Sequence, residues 1–199
     1  MRIGILGSGA VGPALARGLA RHGHEVRIGT RQSGLEGLST GSPQDVAREA
    51  ELVVLAVRGD AAVQVVSGLT AELDGKVLVD TTNPLDASGL FVGTTDSLGE
   101  QVQRAVPGAR VVKAYNTVGN ALMVDPVLVG GPPTMPIAGD DSDAKDVVAG
   151  LLRETGWDVA DLGGIAASRW LEAMCMAWVA YGATHGAWDH AFKLLRAGG

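Results

Sequence analysis

The chain has 199 residues, 46% hydrophobic and 19% charged, enough for one full domain with a small appendage or one slightly large domain with a real core. With Lys+Arg at 16 and Asp+Glu at 22 the net charge is −6, which speaks against a nucleic-acid-binding class, since that class needs a basic surface. One cysteine, Cys175, excludes an internal disulfide framework and fits a reducing compartment. No apolar run reaches the ~18 residues of a membrane span, so a cytoplasmic protein is expected.

Glycine is the outlier, with 29 of 199 residues, about twice its usual ~7% share. It signals either low-complexity disorder or many backbone positions that need positive φ or close approach. Arg2 to Gly7 reads as a short buried strand, and it follows Met1 so directly that no leader is expected. Val11 to His22 carries Val11, Leu15 and Leu19 at helical spacing and stops at Gly23. Glu25 to Gly29 is a second strand, and a polar Gly/Ser-rich loop is expected from Gln32 to Gly41. Ser42-Pro43 has the form of an N-cap with proline at the first helical position, opening a helix to Ala50.

Glu51 to Val57 is a near-continuous apolar strand, the pattern of a parallel sheet covered on both faces. One helix is expected over Asp60 to Leu73 with Val63, Val66 and Leu69 inward. A strand follows at Lys76 to Asp80, a helix at Ser97 to Val106 closed by Pro107-Gly108, and a strand at Arg110 to Tyr115. Met135 to Gly139 is a short strand, Asp141 to Thr155 a capped helix before Gly156, and Trp157 to Leu162 a last strand; from Ala166 to Leu195 the pattern is helix only. Strands alternating with helices predict an α/β fold, Rossmann-like and doubly wound, with a mainly parallel sheet, right-handed crossovers and a short helical C-terminal extension. The expected division is a nucleotide-binding domain over 1–165 and a helical extension over 166–199. The glycines fall at strand ends and helix stops, which sets disorder aside; only Gly198 and Gly199 read as a frayed end.

Gly7-Ser8-Gly9-Ala10-Val11-Gly12 is the sharpest motif, because it follows a strand and opens a helix. Gly7 permits the tight turn, Gly9 lets a pyrophosphate approach the backbone, and Gly12 allows helix and strand to pack closely. The helix N-terminus adds free N–H groups and a positive dipole end. An NAD site needs an acid at the end of the second strand, but Gly29-Thr30-Arg31-Gln32 offers none. A hydroxyl beside a guanidinium suits a 2′-phosphate, so Thr30 and Arg31 point to NADP(H), against the plainer reading of Arg31 as a solvated loop residue. Ala56 and Val57 are placed to line the ribose. Arg58 is a cation at a helix start, unfavourable against the dipole; either an anionic ligand answers it or it is a surface arginine. Asn83 and Asn116 end two strands at the same sheet edge, either as orienters of the nicotinamide or second substrate or as loop caps. Ala138-Gly139 puts small residues where a flat ring would be admitted.

No nucleophile triad or metal-ligand cluster stands out. His22 and His24 lie at the far end of the first helix, His185 and His190 have poor spacing, and Lys113 and Cys175 read as structural. Oxidation of an alcohol needs a base, whereas hydride exchange between two ring carriers needs alignment and exclusion of water. No catalytic side chain is therefore assigned. The apolar stretch Arg169 to Tyr181 reads as ordinary core, as a dimer surface or as the wall of a pocket for a flat ring.

Together Gly7–Gly12, Gly29-Thr30-Arg31, Val111-Val112-Lys113-Ala114-Tyr115-Asn116-Thr117, Ile137-Ala138-Gly139-Asp140-Asp141 and Ala191-Phe192-Lys193-Leu194-Leu195 resemble the NADPH-dependent reductases of coenzyme F420. Arg169 to Trp178 resembles that family's C-terminal helix. The resemblance implies a homodimer that passes hydride between nicotinamide C4 and deazaflavin C5. It implies that Gly7, Ser8, Gly9, Ala10, Val11, Gly12, Thr30 and Arg31 bind NADP, and that Ala56, Val57, Asn83, Asn116 and Ala138 line the transfer cleft. The alternatives are an NADPH-dependent reductase of a flavin, a ferric chelate or an imine, and a non-catalytic NADP(H)-sensing protein. No nucleic-acid or membrane partner is expected.

Overall fold

The computed structural model describes residues 1–32, 35–86 and 88–197. Its elements run β1 (Arg2–Leu6), α1 (Val11–Arg21), β2 (Glu25–Gly29), β3 (Ser39–Gly41), α2 (Pro43–Glu49), β4 (Leu52–Leu55), α3 (Gly59–Ser67), α4 (Thr70–Leu73) and β5 (Val77–Asp80). A hairpin β6 (Leu85–Asp86) and β7 (Gly89–Leu90) follows, then α5 (Leu98–Ala105), β8 (Arg110–Lys113), a 3₁₀ turn (Asn120–Leu122), β9 (Thr134–Ile137), α6 (Ser142–Glu154), β10 (Asp158–Asp161) and α7 (Ser168–His185).

Six parallel strands lie in the order β3-β2-β1-β4-β5-β8. The order reverses between β1 and β4, the switch point where such sheets bind ligands at their carboxyl ends. Alternate residues feed two cores. Ile3, Ile5, Val54, Val79 and Val112 face α1 and α6, while Val53, Leu55, Leu78 and Val111 face α2, α3 and α5. This double covering is what the unbroken apolar run at 52–55 requires. β9 and β10 form a separate parallel pair, joined to the main sheet by an antiparallel bridge between Lys113 and Ala138.

The helix starts follow their caps. Ser42, Ser97 and Asp141 accept the N–H groups of Asp45, Glu100 and Ala144, each three residues into its helix. Three expectations need correction, and one element was not expected. The polar loop before Gly41 contains strand β3, which lies beside the carboxyl half of β2; the same loop includes Ser33 and Gly34, outside the described residues. The helix expected over Asp60 to Leu73 breaks at Gly68-Leu69 into α3 and α4, with Ala62 and Val66 the buried residues of α3 and Val63 only half-buried. The hairpin at Leu85–Leu90 is new. The C-terminal helix ends at Gly186, whose left-handed φ of 64° stops it; residues 186–197 carry neither helix nor strand. The frayed end read at Gly198-Gly199 lies outside the described residues.

The final segment folds back instead. The Trp178 indole N–H donates to the His190 carbonyl at 2.8 Å, and the His190 ring Nε2 lies 3.1 Å from the Trp178 carbonyl. The two rings stack at 4.8 Å, and Trp188 packs 5.4 Å from Trp178. Further on, the Thr134 N–H donates to the Phe192 carbonyl, tying the tail to β9.

Candidate functional site

A cleft of about 350 Å³ opens where β1, β2 and β4 end, and Gly7, Ser8, Gly9, Thr30, Arg31, Ala56, Val57 and Arg58 all line it. The three motif glycines are there for separate reasons. Gly7 has φ +126°, and a Cβ on it would sit 2.2 Å from the Ala56 carbonyl oxygen. A Cβ on Gly12 would sit 2.0 Å from the Gly7 carbonyl oxygen. A Cβ on Gly9 would meet nothing within 4 Å among the described residues, so that side of the turn is open to a ligand. Helix α1 starts at Val11 after Ala10, with no side-chain cap and no acid in its first turn. Its leading N–H groups are therefore available to an anion.

The adenine-ribose end is organised by hydroxyls. The Thr30 hydroxyl donates to Ser8 Oγ at 2.9 Å, Ser8 donates to Gln32 Oε1 at 2.9 Å, and the Gln32 N–H returns to Thr30 Oγ1 at 3.0 Å. This ring fixes the glycine turn to the end of β2. Sequence reasoning missed Gln32 as a cleft residue, although its position beside Arg31 was the available signal. Arg31 is exposed and meets no carboxylate among the described residues.

Arg58 needs no anionic ligand to explain it. It precedes the first turn of α3, and its guanidinium bonds both oxygens of Asp60, at 3.2 and 2.6 Å. That carboxylate answers the dipole misfit seen in the sequence.

Asn83 and Asn116 do meet, but each other. The Asn83 amide donates to the Asn116 backbone carbonyl at 2.8 Å, and the Asn116 amide donates to Asn83 Oδ1 at 3.1 Å and to the Leu171 carbonyl at 2.8 Å. The pair bonds the ends of β5 and β8 to α7, outside the wall of the described cleft. Ala138 is fully buried in the bridge to Lys113, with N–H to O distances of 2.8 and 3.2 Å, and is not among the residues lining the described cleft. An edge residue joined to an antiparallel partner is covered, which the sequence alone did not show.

Beneath that edge Lys113 is buried between Asp80 and Glu172. Burial works against its charge, but the two carboxylates outweigh it and raise its pKa above the ordinary lysine range. Burial pushes the Cys175 thiol up to about 11, which makes it a core residue rather than a nucleophile. His22 pairs with Asp125 at 2.7 Å, far from the glycine turn. Among the described residues no group of three or more His, Cys, Asp or Glu side chains could hold a metal.

A parallel sheet with a ligand-open glycine turn at its switch point defines a dinucleotide-binding class. Comparison with known proteins makes this particular. The family profile described as "NADP oxidoreductase coenzyme F420-dependent" matches residues 2–84. The F420-dependent NADP reductase of Methanothermobacter marburgensis is 30% identical over 200 residues, covering 86% of this chain and 88% of that protein. Metalloreductase STEAP3 of Rattus norvegicus is 32% identical over 180 residues, but the chain spans only 36% of its length. The crystal structure of a candidate F420-dependent NADP reductase from Arthrobacter sp. FB24 superposes with a TM-score of 0.92 at 39% identity, covering 98% of this chain and 99% of that one. The chain belongs to the F420-dependent NADP reductase family and is an NADP-dependent oxidoreductase.

Proposed function

We propose that this protein transfers hydride between NADP(H) and the deazaflavin coenzyme F420. The observation that carries the reading is the open flank of Gly9 above an uncapped helix N-terminus, inside a cleft whose only cation without a carboxylate among its described residues is Arg31. That is a cradle for a pyrophosphate with a guanidinium placed for a 2′-phosphate. When bound, NADPH would supply a hydride from nicotinamide C4 to C5 of F420, leaving NADP+, and a proton from solvent would complete the reduced deazaflavin.

The chain's own part is alignment. Gly7, Ser8, Gly9, Ala10, Val11 and Gly12 hold the pyrophosphate, Thr30 and Arg31 the 2′-phosphate, and Ala56 and Val57 press the ribose, with Arg58 at the rim. Asn83 and Asn116 act here by holding α7 rather than by touching a ring. Residues 1–165 form the nucleotide-binding part, and 166–199 supply the acceptor wall and the contact of a homodimer. The buried lone thiol fits a cytoplasmic location. Among the described residues, no helix is long and apolar enough to cross a membrane.

The likeness to STEAP3 favours a second reading, an NADPH-dependent reductase of a ferric chelate or flavin. Mixing the protein with NADPH and oxidised F420 separates the two. Loss of the deazaflavin's visible absorbance is expected, and reduction of flavin or ferric chelate without F420 bleaching would select the second reading.

A further inference from the structure

The nucleotide cleft makes no use of the most expensive feature of the interior. Asp80, Lys113 and Glu172 come from β5, β8 and α7, and all three are buried. Lys113 Nζ lies 2.9 Å from an oxygen of each carboxylate. Asp80 Oδ1 also accepts the N–H and hydroxyl of Thr82, at 2.9 and 2.6 Å. Glu172 also accepts the N–H groups of Leu98 and Gly99, 3.0 Å each, at the start of α5. The cluster thus carries two carboxylates for one ammonium, with the excess negative charge set against the positive end of α5. Apolar groups of equal volume hold a core as well as buried ion pairs do, so stability alone is a weak reason for this cluster.

Its position supplies another reason. Three residues further along each strand, Asn83 and Asn116 bond each other, and Asn116 also bonds the carbonyl of Leu171, next to Glu172. Two adjacent residues of α7 are therefore bonded from β8 and its end at two levels, by Lys113 and Asn116, and each of these is braced in turn by a residue on the β5 side, Asp80 and Asn83. Between those levels Tyr115 takes φ +60° while buried, a conformation that costs a bulky residue free energy and that sets the turn leading into Asn116.

We propose that Asp80, Lys113 and Glu172 are positioning residues for hydride transfer: the cluster fixes where α7 stands against the carboxyl edge of the sheet, and so fixes the gap between the nicotinamide and the acceptor ring. The proposal rests on the function given above. A displacement near 1 Å between reacting partners costs on the order of a hundredfold in rate, whereas nucleotide binding depends on the separate glycine turn.

The test uses the full chain carrying Glu172→Gln, and the triple variant Asp80→Asn, Lys113→Met, Glu172→Gln, which removes the charges together. Each is assayed with NADPH and with C4-deuterated NADPH, using F420 as acceptor. The expected result for the triple variant is a KM for NADPH within about twofold of wild type and a kcat about a hundredfold lower. The deuterium isotope effect on kcat should exceed that of wild type. If the triple variant does not fold, Glu172→Gln, which keeps the Lys113–Asp80 pair, is read by the same criteria. A folded variant with wild-type kcat and isotope effect overturns the proposal, as does a loss of NADPH affinity and kcat in proportion. Absence of hydride transfer by the wild-type chain to any acceptor removes the function itself, and that result is separable because it appears before any substitution.

Discussion

Gly7 and Gly12 serve the fold, whereas Gly9 serves the ligand, and the difference is measurable. Gly9→Val has free space around its new side chain among the described residues, so its stability should stay within about 0.5 kcal/mol of wild type, as for an open surface site. Its NADPH affinity should fall steeply, because the branched side chain occupies the pyrophosphate's approach. Gly12→Ala places a methyl against the Gly7 carbonyl oxygen and should cost about 1–3 kcal/mol of stability, as overpacking does. Thermal melts and a fluorescence titration with NADPH read both effects; weakened stability with normal binding in Gly9→Val would refute the assignment. Arg31→Asp should move preference from NADPH toward NADH, read as the ratio of kcat/KM values, since a carboxylate repels a 2′-phosphate and accepts from a 2′-hydroxyl. The glycine motif was legible because its residues are constrained locally, by a turn, a helix start and a close approach. Ala138 was not, because whether an edge residue is covered depends on a strand that pairs antiparallel from far along the chain. The Asp80–Lys113–Glu172 cluster left only a faint trace: single charges of opposite sign within apolar runs, whose meeting is decided by tertiary packing.

At the scale of elements, helix α5 shows how local chemistry sets a boundary that can be titrated. Ser97 caps it, and just before the cap Asp96 bonds Arg104 with both oxygens, at 3.0 and 2.8 Å. The Arg104 guanidinium holds the Asp96 carboxyl down to about 2, below the ordinary 3.8. A depressed carboxylate stabilises the folded state above its unfolded pKa, and that contribution is lost as pH falls through the folded value. The melting-temperature gap between wild type and Asp96→Asn should therefore be present at pH 7 and close between pH 4 and pH 2. The gap should be small, because the ion pair is part-exposed and solvent screens it. A gap that persists at pH 2 would show that the pair is not its source. Separately, Ser97→Ala should lose about 1 kcal/mol, the usual value of an N-cap. Capped helices and unbroken apolar strands were readable for this reason: each announces itself within a few residues. β3 was not, since Ser-Thr-Gly has no apolar pattern and becomes a strand only through pairing with β2. The tail after Gly186 was misread as helix because its aromatic residues suit either a helix face or the stacked clasp on Trp178, and only the clasp satisfies the Trp178 indole N–H.

At the scale of the whole molecule, α7 carries an unmet demand. Its inner face is committed: Leu171, Glu172, Cys175 and Trp178 are buried, and Arg169 is engaged by Glu100 at 2.8 and 2.6 Å. Its outer face presents Trp170, Ala177, Tyr181 and Thr184 at helical spacing, with Trp170 56% and Tyr181 51% exposed. Of the ionisable side chains from 168 to 185, only His185 and the tyrosine phenol are exposed. For a chain of net charge −6, this uncharged strip with its two large aromatic rings is where two copies can approach with least repulsion and most apolar area to remove from water. The homodimer we propose is placed on it, related by a two-fold axis so that the same strip serves both copies. Sedimentation of the wild type should give twice the 20.3 kDa of one chain. Trp170→Glu combined with Tyr181→Glu should give the monomer, because paired copies would bury four carboxylates without partners. NADPH binding should survive in that variant, since none of the residues lining the nucleotide cleft belongs to α7. A wild-type chain that sediments as a monomer, or a double variant that remains dimeric, would move the interface elsewhere and leave α7's outer face to the acceptor alone.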